Sequence, residues 1–259
     1  TVRGADFQTR NLLLALRAGE PRRIARALAM EASFLASSQP DSKRVLALLA
    51  LASALAQRLR DPHTTAIVLM TTGAVQFLST AWGPARDMCG RATELLRSRT
   101  VGTSWEIASA ELFRLWTLFF LGELREMSRR VFALLRESEG RGDLYAATGY
   151  RTGLANAAWL MSGDVAEARH QLRDAARAWS HAGFHFQHYW NMLAQMHIDL
   201  YVGDGAGAYK RWMERWPSFE QSLFPRIRVL GIEAWTVRGR AALAAASATP
   251  AGSAGEALL

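Results

Sequence analysis

Hydrophobic positions along this chain recur at helical spacing. Gly83 is followed by Ala85, Met88, Ala92 and Leu95, Gly122 by Leu124, Met127, Val131 and Leu134, and Gly163 by Val165, Ala168, Leu172 and Ala175. Steps of three and four residues put such positions on one face of an α-helix. The residues between them are mostly charged or polar, among them Arg86, Asp87, Arg125, Arg129, Glu167 and Arg173. After Gly203 the pattern thins to Ala208 and Trp212. The four glycines, Gly83, Gly122, Gly163 and Gly203, recur at a nearly constant interval. The stretches ahead of them read differently. Residues 105–121 carry Trp105, Leu112, Phe113, Leu115, Trp116, Phe119 and Phe120, and 144–161 carry Leu144, Ala147, Leu154, Ala155, Ala158, Trp159 and Met161. A helix that is apolar on several sides is covered on several sides. Each period therefore predicts a buried helix, a glycine turn and a second helix with one wet face.

Strand alternation is absent, and Val and Ile are scarce beside the helix formers Ala, Leu, Arg and Glu. The breaks carry turn chemistry, including Gly19-Glu20-Pro21, Pro40-Asp41-Ser42, Asp61-Pro62, Gly83-Pro84, Gly102-Thr103-Ser104 and Trp216-Pro217. Ser42, Ser104, Asp143 and Asp164 are the expected N-caps. The result is about twelve helices of roughly 12–20 residues. The interval from Gly19 to Gly83 is well over one period, so 38–61 is expected to add one extra helix, with Val45, Leu48, Ala52, Leu55 and Leu59 facing inward. Two helices per repeat of about 40 residues describe an α-solenoid.

The turn at 159–168 (WLMSGDVAEA), with its Gly-Asp pair and small Ala168, resembles tetratricopeptide-like (TPR-like) repeats of the long-helix kind. The resemblance implies about six antiparallel helix pairs in a right-handed superhelix, one domain over 1–247, and a flexible tail or linker over 248–259. A narrower resemblance rests on His188-Tyr189-Trp190, 198–204 (IDLYVGD), 211–217 (RWMERWP) and 226–246 (RIRVLGIEAWTVRGRAALAAA). These look like the helical-repeat region that follows the catalytic module of large bacterial serine/threonine kinases, which often also carry a STAND-type ATPase module. The implied role is a non-catalytic interaction or ligand-sensing module of a larger signalling protein. A protein or peptide partner would lie in the concave groove, and an attached catalytic domain elsewhere in the parent chain. The alternatives are a free-standing scaffold or adaptor and, further off, a metal-dependent enzyme around His185, His188 and Asp199.

Composition narrows the field. No apolar run reaches the 18 or so residues of a membrane helix, the longest being the 12 of 45–56, and no membrane partner is expected. The single cysteine, Cys89, excludes an internal disulfide. With no signal peptide the cytoplasm is the default. Both ends read as cuts through a larger protein. The net charge of +8 comes almost wholly from arginine, lysine being limited to Lys43 and Lys210. The arginines are scattered among acids along the chain, so no nucleic-acid partner is expected.

Catalytic signatures are missing: there is no Walker loop, His-Arg-Asp, Asp-Phe-Gly, Gly-x-Ser-x-Gly or His-Glu-x-x-His. No catalytic residue, cofactor or metal is expected. His181, His185 and His188 have helical spacing, but Gly183 interrupts it, and the ordinary reading is a turn and helix start. Cys89, near Arg86 and Arg91, is read as a small buried residue, with a reactive thiolate as the sharper alternative. Arg226, Arg228, Arg238 and Arg240 on a last helix at about 222–246, with Glu233, read as a solvated face or as an anion contact. The nine tryptophans divide between packing and an aromatic groove. Counting back 13 and 6 positions from the turn glycines gives Ser109, Trp116, Tyr150, Ala157, Trp190 and His197. The groove candidates are Trp116, Tyr150, Arg151, Trp190 and His197, with packing against the next repeat as the competing reading.

Overall fold

The computed structural model describes residues 2–177, 179 and 183–248. Among them every regular element is helical: thirteen α-helices and two short 3-10 turns. The fold is all-α and repeat-like. The chain divides into two compact units, Thr1–Leu121 and Gly122–Leu259. His181 and the tail beyond Ala248 lie outside the described residues.

Unit 1 holds α1 (Val2–Ala18), α2 (Pro21–Ala36), α3 (Lys43–Leu59), α4 (Pro62–Leu78), α5 (Trp82–Arg99) and α6 (Ser104–Phe120). Helix α2 pairs with α3 and α4 with α5, while α2, α4 and α6 also pack in succession. That is the stacking of a hairpin array. The segment expected as an extra helix is therefore the ordinary second helix of a hairpin. In α3, Val45 and Ala52 are fully buried, and Leu48 and Leu55 pack on the core behind them. The long interval from Gly19 has a simple cause. Gly19 (φ +68) closes α1 and leads into a first helix, whereas Gly83 lies at the start of a second helix. N-caps form at Ser42, which accepts from Val45 N–H, and at Asp143 and Asp164 in unit 2. Ser104 is instead the first helical residue, after Thr103.

Unit 2 holds α7 (Leu124–Gly140), α8 (Leu144–Arg151), a 3-10 turn (Gly153–Asn156), α9 (Ala157–Met161), α10 (Val165–Arg177), α11 (Phe186–Tyr201), α12 (Gly205–Gln221), a second 3-10 turn (Phe224–Arg226) and α13 (Arg228–Ser247). Helix α10 packs on α8, α9 and α11, α11 on α12, and α13 on both α11 and α12. Arg226 thus precedes the last helix rather than riding on it. Trp216-Pro217 does not end a helix either, since α12 runs through Pro217. The lost N–H is outweighed by burial of Trp212, Trp216 and Phe219, three aromatic side chains worth roughly 1.5–3 kcal/mol each.

The single helix expected over 144–161 is broken. Thr152 is extended (φ −123, ψ −179) and Gly153 has φ +58. The break leaves polar groups inside the protein, and side chains satisfy them. Thr152 Oγ1 donates to Thr148 O at 2.7 Å, and Asn156 Nδ2 donates to Arg151 O at 2.9 Å and Ala168 O at 3.1 Å. Thr152 and Asn156 are each 1% exposed, which makes this cap obligatory.

Helices α4 and α5 meet at Gly73. A Cβ there would stand 2.5 Å from Cys89 Sγ, 3.2 Å from Cys89 N and 3.3 Å from Ala85 O. Gly73→Ala gains about 1 kcal/mol of helix propensity and meets about 1–3 kcal/mol of overpacking. The expected result is a lower melting temperature by circular dichroism. In a Cys89→Ala background, which removes the nearest atom, the same substitution costs measurably less.

Candidate functional site

A cleft of about 880 Å³ opens in unit 2 among α8, α10, α11 and α12. The helix break supplies one wall through Thr148 and Thr152, and Met192, Met196 and Trp212 form its apolar floor. Along α11 the amides Gln187, Asn191 and Gln195 line one edge at i, i+4 and i+8, a single stripe on one helix face. Arg211 and Arg215, one turn apart on α12, line the other edge.

A buried carboxylate organises this edge. Asp199 is fully buried. It accepts from Arg169 Nη2 at 3.0 Å, Gln195 Nε2 at 2.9 Å and Arg211 Nε at 2.7 Å. Arg211 Nη2 also reaches Asp204 at 2.9 Å. Asp204 in turn caps α12 by accepting from Gly207 N–H. The Arg211 hydrogen bond, followed by the Gly207 N–H, holds the Asp204 carboxyl below its usual range. The network ties α10, α11 and α12 together and fixes the guanidinium of Arg211. The Trp212 side chain is fully buried beside it, and its indole N–H has no hydrogen-bond partner among the described residues. An orphaned buried donor costs about 1–3 kcal/mol. Arg215 is exposed and makes no ion pair among the described residues.

The five groove residues read from the sequence sit elsewhere. Trp116 belongs to unit 1, half-buried in an aromatic cluster with Phe77 (5.7 Å between centroids) and Phe113 (5.2 Å). The other four are in unit 2, on α8 and α11, and none of them lines the cleft. Tyr150 is 2% exposed and Trp190 8% exposed. Trp190 packs on the break, with its Cβ 3.4 Å from where a Cβ on Gly153 would lie. Arg151 donates to Gln171 Oε1 at 2.9 Å and Glu139 Oε1 at 2.6 Å. Sequence spacing thus selects the helices of the cleft but not their cleft-facing sides: Thr148, Thr152, Gln187, Asn191 and Gln195, which line it, are neighbours of the predicted residues. The i, i+4, i+8 amide spacing is the signal in the sequence that points to Gln187, Asn191 and Gln195.

His185 and His188 serve a helix start. The His185 N–H donates to His188 Nδ1 at 2.9 Å, and the two rings stack at 5.6 Å. Asp199 lies three turns further along α11, about 16 Å by the helical rise, so the three residues do not converge. Among the described residues no group of three or more His, Cys, Asp or Glu is placed to hold a metal ion, and no helix is long and apolar enough to cross a membrane. Cys89 is fully buried, and its thiol is pushed up to about 12 by that burial first and by Glu111 second. The reactive-thiolate reading is thereby overturned, because desolvation outweighs nearby arginine. No family model matches this chain, and no curated protein matches it either.

The seam between α11 and α13 holds two titratable groups in their uncharged forms. Tyr189 Oη donates to Glu233 Oε2 at 2.7 Å. Burial pushes the Glu233 carboxyl up to about 7, against the opposing Tyr189 hydrogen bond. Burial, followed by the charge of Arg240, pushes His197 down to about 4. The two act in opposite senses on stability. The Glu233 contribution is complete below its unfolded value near 4.5 and is lost as pH rises through about 7. The His197 contribution is complete above 6.5 and is lost as pH falls through about 4. The wild-type protein is therefore expected to show nearly flat urea stability from pH 5 to 6.5. Glu233→Gln leaves a stability that rises with pH across that window, and His197→Gln one that falls, by up to about 2 kcal/mol in each case.

Proposed function

We propose that this chain is a non-catalytic helical-repeat binding module, and that the unit 2 cleft holds an extended segment of a partner protein. The observation that carries this reading is the amide stripe of Gln187, Asn191 and Gln195, which shares the cleft lining with Arg215 and with the apolar Met192, Met196 and Trp212. Asn191 and Gln195 are held by donating to Leu172 O and Asp199, which leaves their oxygens to accept from peptide N–H groups, while Gln187 can both donate and accept. Their rise along α11 is about 6 Å per step. An extended chain repeats on one face about every 6.6 Å. Successive amides can therefore meet successive same-side peptide groups, while the apolar floor takes the alternate side chains. Within a larger signalling protein of the kind suggested by the resemblance to kinase-associated repeats, occupancy of the cleft would favour one arrangement of the array over another and so regulate an attached catalytic domain.

Display of a random peptide library on the purified protein tests the reading. Selected peptides are expected to bind with a change in tryptophan fluorescence. The double substitution Gln187→Ala/Arg215→Ala, at positions with no hydrogen bond or ion pair among the described residues, is expected to weaken them about tenfold while leaving the melting temperature unchanged, a loss of about 1.4 kcal/mol. Peptides that bind the doubly substituted protein equally well would place the site elsewhere.

A further inference from the structure

Unit 1 carries fifteen Lys and Arg against nine Asp and Glu, six of the chain's net +8. Scattered in sequence, many of these arginines are gathered by the fold. In an antiparallel array every turn from a second helix into the next first helix falls at the same end. Here those turns bring Arg22 and Arg23, then Arg58 and Arg60, then Arg97 and Arg99. Contacts across the end confirm that the turns meet. Arg22 Nη2 is 4.0 Å from Asp61 Oδ1, and Arg26 Nη2 and His63 Nε2 are 3.8 and 3.5 Å from Glu106 Oε1. A cavity of about 920 Å³ opens between them, lined by Arg26, His63, Arg97, Arg99 and Glu106 and by the turn 100–103.

The acids at this end are already engaged. Glu20 accepts from the N–H groups of Arg22 and Arg23, and Asp61 from the N–H and hydroxyl of Thr64. Both carboxyls are held below their usual range, chiefly by those bonds. Glu106, 8% exposed, lies between Arg26 and His63. Arg60 and Arg99 are exposed and make no ion pair among the described residues.

We propose that this end of unit 1 is a docking surface for an acidic, Asp- or Glu-rich segment of a partner protein. Two observations select carboxylates. The end already accommodates one, Glu106, against a guanidinium, and guanidinium forks match carboxylates in shape as well as charge. Among the described residues lining the cavity there is no Phe, Tyr or Trp, and the exposed Trp105 next to it in sequence is a single ring, not the series of platforms on which successive bases of a single-stranded nucleic acid stack. The excess of positive charge steers such a segment to the surface and makes the encounter salt-dependent.

Fluorescence anisotropy with a labelled oligoglutamate peptide at low ionic strength tests this. The expected result is saturable, salt-sensitive binding that Arg97→Gln/Arg99→Gln weakens about tenfold and that Arg60→Gln, in a separate turn, also weakens. Removal of two exposed charges from α10, Arg173→Gln/Arg177→Gln, is expected to change it less than about twofold. Circular dichroism verifies that each variant is folded. Absence of binding, equal losses from both double variants, or tighter binding of an oligouridylate through the same arginines would overturn the proposal.

Discussion

Backbone proximity between paired helices is the constraint on which the rest of this structure depends. At Gly73 the missing side chain lets α5 approach α4 until Cys89 N would stand 3.2 Å from a Cβ. At Gly205 the approach is tighter, with Ala244 C at 2.6 Å and Ala245 N at 2.8 Å from such an atom. Alanine does the same work elsewhere: Ala85, Ala92, Ala168 and Ala208 are fully buried on the second helices of their pairs. Away from these close approaches the same helix pairs bury large rings, as where Phe77 of α4 meets Trp82 of α5 and Tyr189 of α11 meets Phe219 of α12. Phe77, Trp82, Phe113, Trp116 and Phe120 form one aromatic cluster in unit 1, and Tyr189, Trp216, Phe219 and Phe224 another in unit 2.

That division explains which residues reach the unit 2 cleft. Its walls are built from positions that close packing cannot use, namely amides, hydroxyls and arginines at the polar margin of α11 and α12. What holds them in place is a buried charge network rather than apolar contact. Removing both Arg169 and Arg211 would leave the buried charge of Asp199 uncompensated, whereas removing either one leaves the other in place. Such a network contributes little net stability when complete. Its structural effect is to fix the spacing of three helices and the direction of Arg211, and through them the width of the cleft.

Much of this architecture was legible because its requirements are local. Gly122, Gly163 and Gly203 all adopt positive φ, which only glycine does cheaply, so their regular spacing marks the repeat directly. Asp143, Asp164 and Ser42 announce helix starts through oxygens that must accept backbone N–H groups. The break at Thr152-Gly153 was not legible, because it depends on a partner distant in sequence: Trp190 occupies the space beside Gly153, and Ala168 O receives Asn156. The cleft-lining face of α11 was not legible for a related reason. Trp190 and Gln187 are both credible groove residues on one isolated helix, and only the positions of α8 and α12 decide which of them is covered.

Charge follows the same logic with the opposite outcome. Along the chain, Arg22, Arg60 and Arg99 are each nearly a full repeat apart and look dispersed. A hairpin array converts that dispersion into adjacency, since residues one period apart occupy equivalent places in successive hairpins. A scattered distribution in a repeat protein is thus not an argument against a clustered surface. The correct comparison is between residue positions taken modulo the repeat, and on that measure the turns before α2, α4 and α6 share a basic character that their capping acids only partly offset.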